Sequence, residues 1–165
     1  MNYPINDNTD ILIRLNRNDS VTLLFHIADN IYEIRSLVSI DDTMPLLMGT
    51  MHSLLEGKDD FVWSFCNYDE WNHIYIKRKP HQPELLIIES KESGSREPFS
   101  TIFQFEVEQK QFLLTLYYQL KKIAHLMTNE VYAEDRKAAF SIDTFQALQA
   151  ALHASYPQDV VLGLF

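Results

Sequence analysis

The sequence predicts a single α+β domain, with an antiparallel sheet of about six to seven strands and two or three helices packed mostly on one face. Three observations carry that expectation. Apolar and polar residues alternate over several short segments. The connections between those segments are short and polar, which suits antiparallel pairing. Three longer segments switch to helical spacing. A chain of 165 residues, 46% of them hydrophobic, can form a full core without disulfides or metal.

Taken in order, residues 11–15 (Ile-Leu-Ile-Arg-Leu) read as a short strand. Over residues 20–28, Val21, Leu23, Phe25 and Ile27 share one face. Asp29-Asn30 marks a tight turn, and residues 31–40 form a third strand. Residues 42–56 then place Met44, Leu47, Met48, Met51, Leu54 and Leu55 at helical spacing. Thr43 is a candidate cap, Pro45 fits the first turn and Gly57 the C-terminal position.

Phe61–Cys66 is the strongest strand signal, because Phe61, Trp63 and Phe65 are aromatic and Val62 is β-branched. Ile74-Tyr75-Ile76 opens the next strand, and the turn Lys79–Pro83 separates it from Leu85–Ile88. A polar loop from Lys91 to Pro98 leads to Thr101–Val107, where Phe103, Phe105 and Val107 point one way and Gln104 and Glu106 the other. Residues 108–127 are helical, with a stripe of Phe112, Leu113, Leu116, Leu120, Ile123 and Met127. A last helix covers 143–154, with Asp143 as cap. The apolar tail Val160–Phe165 is expected to pack as an edge strand or against the core, and could otherwise join two copies of the chain.

Charge is distributed unevenly. Residues 1–76 hold twelve acids and four bases, whereas residues 77–165 hold eleven acids and ten bases, so nearly all of the net −9 lies in the first half. Its densest part interleaves acids with aromatics, from Asp59-Asp60 through Trp63 to Tyr68-Asp69-Glu70-Trp71. Carboxylates beside Tyr and Trp suit a surface that meets a basic protein. Asp59, Asp60, Tyr68, Asp69, Glu70 and Trp71 are therefore the candidate partner-binding residues, at the two ends of one strand.

Other functions find little support. A pI near 5.0 and one short basic run, Lys77-Arg78-Lys79, speak against nucleic acid as the ligand. The six histidines form no metal-ligand spacing, and the single cysteine, Cys66, can make neither an internal disulfide nor a zinc cluster. Four glycines build no phosphate loop or nucleophile elbow. No cofactor, metal or catalytic residue is expected. No secretory leader or membrane-length apolar run is visible, so the expected setting is cytoplasmic.

One catalytic alternative uses Leu85-Leu-Ile-Ile-Glu89-Ser-Lys91, an apolar strand closing in Glu-x-Lys. This resembles half of a metal-dependent nuclease core, in which Asp69 (or Asp60) and Glu89 would hold magnesium and Lys91 would steady the attacking water. A structural homo-oligomeric subunit is the other alternative.

The stretch Phe61-Val-Trp63-Ser-Phe through Trp71, the paired strands at 73–78 and 84–90 and the helix opening at Glu108 carry a wider likeness. In pattern and charge the chain is similar to immunity proteins of bacterial contact-dependent inhibition and related polymorphic toxin systems. That resemblance implies a small acidic α+β protein that binds a cognate toxin, often a basic nuclease, and blocks its active site or substrate surface.

Overall fold

The computed structural model describes residues 9–17, 20–37, 42–93 and 100–163. Seven strands and four helices follow in the order β1 (Thr9–Leu15), β2 (Val21–Ile27), β3 (Asn30–Ser36), α1 (Thr43–Leu55), β4 (Phe61–Asn67), β5 (Glu70–Lys79), β6 (Gln82–Ser93), β7 (Ser100–Glu108), α2 (Gln109–Leu126), α3 (Glu130–Ala133) and α4 (Ile142–Ser155). The class is α+β, as expected. The strands divide into two antiparallel meanders, β1-β2-β3 and β4-β5-β6-β7, rather than one sheet. A backbone bond from Leu37 N to Cys66 O (3.3 Å) joins their edges.

Alternation decides which face of each strand is buried. Ile11, Ile13 and Leu15 of β1 face inward with Val21, Leu23 and Phe25 of β2. Trp63 and Phe65 of β4 do so with Ile74 and Ile76 of β5, Leu86 and Ile88 of β6, and Phe103, Phe105 and Val107 of β7. The two apolar faces meet where the Phe103 ring lies 4.9 Å from Phe25 and 5.0 Å from Tyr32. Helices fill the rest: α2 packs on β1, β6 and β7, and α1 on β4 and α4. The buried side chains of both sheets and the helices form one contiguous cluster.

Trp63 is the largest side chain in this core; it is fully buried, and its indole Nε1 donates to Thr50 Oγ1 of α1 at 2.9 Å. A buried indole N–H needs such a partner. The expected stripe of α2 is buried at Phe112, Leu113, Leu116, Leu120 and Ile123, and Tyr117 and Ala124 widen it. Side chains from α2 and the segment after α3 cover the outer edge of β1. Gln119 Oε1 accepts from Ile13 N (3.3 Å), Lys122 Nζ donates to Ile13 O (3.1 Å), and Arg136 Nε donates to Leu15 O (3.0 Å). Satisfying the backbone of an edge strand in this way blocks pairing with another chain.

Several sequence expectations need correction. Asp42, not Thr43, occupies the N-cap position of α1 and makes no side-chain cap bond; Thr43 is buried and donates to Ser36 Oγ (3.2 Å). Ser141, not Asp143, caps α4, accepting from Thr144 N at 3.2 Å. Strand β5 begins four residues before Ile74, because Glu70 to His73 pair with Asn67 back to Ser64 and carry the hairpin to its tip. Strand β6 runs on to Ser93, into the expected loop. The short helix α3 has no counterpart among the expected elements, and the described helices number four. Residues 38–40 of the expected third strand, 94–98 of the expected loop and 164–165 of the tail lie outside the described residues. Of the tail, Val160 is buried while Val161 and Leu162 are exposed; Gly163 is held by Gln149, which accepts from its N and donates to its O, each at 2.9 Å. Gly57 ends α1 with φ +79°, as its position predicts.

Candidate functional site

The candidate residues sit at opposite ends of the β4–β5 hairpin. Strand β4 has seven residues, so its ends are about 20 Å apart. Asp59 and Asp60 precede it; Tyr68 and Asp69 form the turn beyond it, and Glu70 and Trp71 begin β5. The hairpin therefore separates the six residues into a pair and a tetrad rather than one continuous patch.

At the first end one acid, Asp59, is engaged, while Asp60 takes part in no ion pair among the described residues. Asp59 accepts from Arg78 Nε, forming an ion pair. Arg78 also donates to Gln109 Oε1 of α2 (2.6 Å) and to the carbonyls of Pro83 (2.5 Å), Lys58 (3.4 Å) and Leu54 (3.5 Å). One guanidinium, its side chain only 15% exposed, thus ties the end of α1, the approach to β4, the start of β6 and the start of α2 together. Arginine suits such a hub because it holds five donors in a fixed plane. Next to it, Lys79 pairs with the buried carboxylate of Glu106 at 2.9 Å. Of the basic run Lys77-Arg78-Lys79, only Lys77 is exposed. The register shift between Arg78 and Lys79 sends the two side chains to separate partners.

At the second end the charge is unengaged. Neither Asp69 nor Glu70 takes part in an ion pair among the described residues. Tyr68 is 81% exposed at the tip, with φ +56°. That left-handed conformation costs a non-glycine residue about 1–2 kcal/mol. The chain has four glycines, and Ala28, Asp60 and His81 are also held at positive φ in its tight connections.

Trp71, 39% exposed, leads from the tip onto the outer face of the second sheet. Its ring stacks on His73 (6.0 Å, 7°), and His73 lies 6.4 Å from the Tyr75 ring. Ser64 Oγ and His73 Nδ1 are 2.8 Å apart across the β4–β5 pair. This row fixes the orientation of the exposed indole. Sequence reading identified Trp71 but not the His73–Tyr75 row behind it, although spacing of two along a strand would have placed the three on one face.

The nuclease constellation does not assemble through Asp69. Glu89 is paired across the sheet with Tyr75, and Asp69 lies six residues before Tyr75, about 20 Å along the strand. Glu89 instead accepts from Thr101 Oγ1 (3.0 Å) and pairs with Lys91 (3.5 Å). Among the described residues no group of three His, Cys, Asp or Glu side chains is placed to hold a metal ion. Cys66 is buried, and its thiol donates to Tyr68 O at 3.3 Å.

Fold and site together define an α+β chain with an exposed aromatic–acidic hairpin tip on an open sheet face. Comparison with protein-family models, curated proteins and solved structures finds no match. Among the described residues no helix is long and apolar enough to cross a membrane.

Proposed function

We propose that this chain is a binding protein that neutralises a basic protein partner, in the manner of a cytoplasmic immunity protein inhibiting a cognate nuclease-type toxin. The observation that supports this reading is the tip of the β4–β5 hairpin. Exposed Tyr68 and Trp71 flank Asp69 and Glu70, and neither acid has an ion-pair partner among the described residues. Aromatic anchors supply contact area at low entropic cost. Unpaired carboxylates steer a basic partner into place and discriminate against acidic ones. Tyr68, Asp69, Glu70 and Trp71 make the contact, and Asp59 supports the fold through Arg78.

The test begins with the neighbouring gene. A secreted protein with a small basic C-terminal domain encoded beside this one supplies the partner. The purified pair is expected to form a complex whose association rate falls roughly tenfold from low to high salt. A neighbour without such a domain, or no complex at micromolar concentration, overturns the proposal.

A further inference from the structure

The outer face of the first sheet holds a second feature, opposite in charge to the hairpin tip. Three of the four bases in residues 1–76 (Arg14, Arg17 and Arg35) gather at one end of this sheet. Arg14 of β1 and Arg35 of β3 are both paired in register with Thr22 of β2. Their backbones are therefore about 10 Å apart with Thr22 between them, and all three side chains line one groove of about 490 Å³. That volume suits a small molecule.

We propose that this groove binds a phosphate-bearing small molecule of the nucleotide class, with its phosphate between Arg14 and Arg35 and its ring against Tyr68. Three details support the assignment. Arg14 makes no ion pair among the described residues, and Arg35 is held by Glu33 through its Nε alone. The terminal guanidinium nitrogens, which grip phosphate in bidentate fashion, thus have no protein partner among the described residues. Asn16 Nδ2 donates to Thr22 Oγ1 at 2.9 Å, and both side chains line the groove beside Arg14. Tyr68, largely exposed, lines the far wall and offers a ring on which a base can stack. Glu33 also lines the groove, so the site carries one net positive charge from its three ionised side chains, within a half-chain whose net charge is −8.

The proposal does not depend on the toxin-binding reading. The probes are inorganic phosphate and adenosine monophosphate, titrated by calorimetry into the wild-type chain. The nucleotide is expected to bind at least about fivefold more tightly than phosphate. Arg14→Ala and Arg35→Ala should each weaken nucleotide binding by about tenfold or more. Tyr68→Ala should abolish the nucleotide's advantage while sparing phosphate, and Lys77→Ala, on the other sheet, should change neither. Circular dichroism confirms folding of each variant, and Arg14→Lys, which keeps charge without the planar fork, should recover only part of the affinity. No saturable binding of either probe at millimolar concentration overturns the site. Nucleotide binding that survives Arg14→Ala does the same, and a nucleotide no tighter than phosphate overturns the ligand class.

Discussion

The β4–β5 hairpin carries acids at both ends, and the two ends are built differently. At one, Asp59 meets Arg78, whose other donors reach two helices and the start of β6. At the other, Asp69 and Glu70 lie between two exposed aromatics and meet no cation among the described residues. Residues of one type, ten positions apart, thus serve folding in one place and are available for recognition in the other. What separates them is long-range: a base 19 residues away closes back on Asp59, and among the described residues none does so on Asp69. Clustered charge in a sequence is therefore a poor guide to surface charge until its partners are known.

The comparison can be broken at its centre first. Trp63 lies on the strand between the two ends and is fully buried. Trp63→Ala is expected to cost about 3–5 kcal/mol in urea unfolding, destabilising both ends together. The closed end comes next. Arg78→Ala leaves a carboxylate and several carbonyls without their donor, and should cost about 2–3 kcal/mol. Lys79→Ala strands the buried Glu106 carboxylate, at a cost of about 1–3 kcal/mol.

The open end should respond in the opposite sense. Tyr68→Gly removes left-handed strain and is expected to raise stability by about 1 kcal/mol, while weakening partner binding. If it destabilises the fold instead, Tyr68 is structural and the tip is not a docking surface. The smallest change is expected for Asp69→Asn with Glu70→Gln, whose unfolding free energy should stay within about 0.5 kcal/mol of wild type.

Most of the fold was legible because alternation and helical spacing are local properties. Phe103, Phe105 and Val107 could be assigned to one face, and the α2 stripe could be drawn, from the residues themselves. The division into two sheets was not legible, since it depends on which strand edges pair, and β3 is laddered to β2 but not to β4. The start of β5 was missed because Glu70 and Asn72 are polar residues held in a strand by pairing rather than propensity. At the site, the aromatics and acids could be named in advance, but the hub formed by Arg78 could not. Its partners span Leu54 to Gln109, and no local pattern announces contacts of that range. The Arg14–Thr22–Arg35 row was equally hidden, because it exists only once three strands are in register.

The most direct test compares two double variants for affinity toward the basic toxin domain encoded beside this gene. Asp69→Asn with Glu70→Gln should weaken the complex by about tenfold or more, whereas Asp59→Asn with Asp60→Asn should bind within about twofold of wild type. Equal losses from the two variants, or a loss confined to the Asp59–Asp60 pair, would contradict the assignment of recognition to the open end of the hairpin.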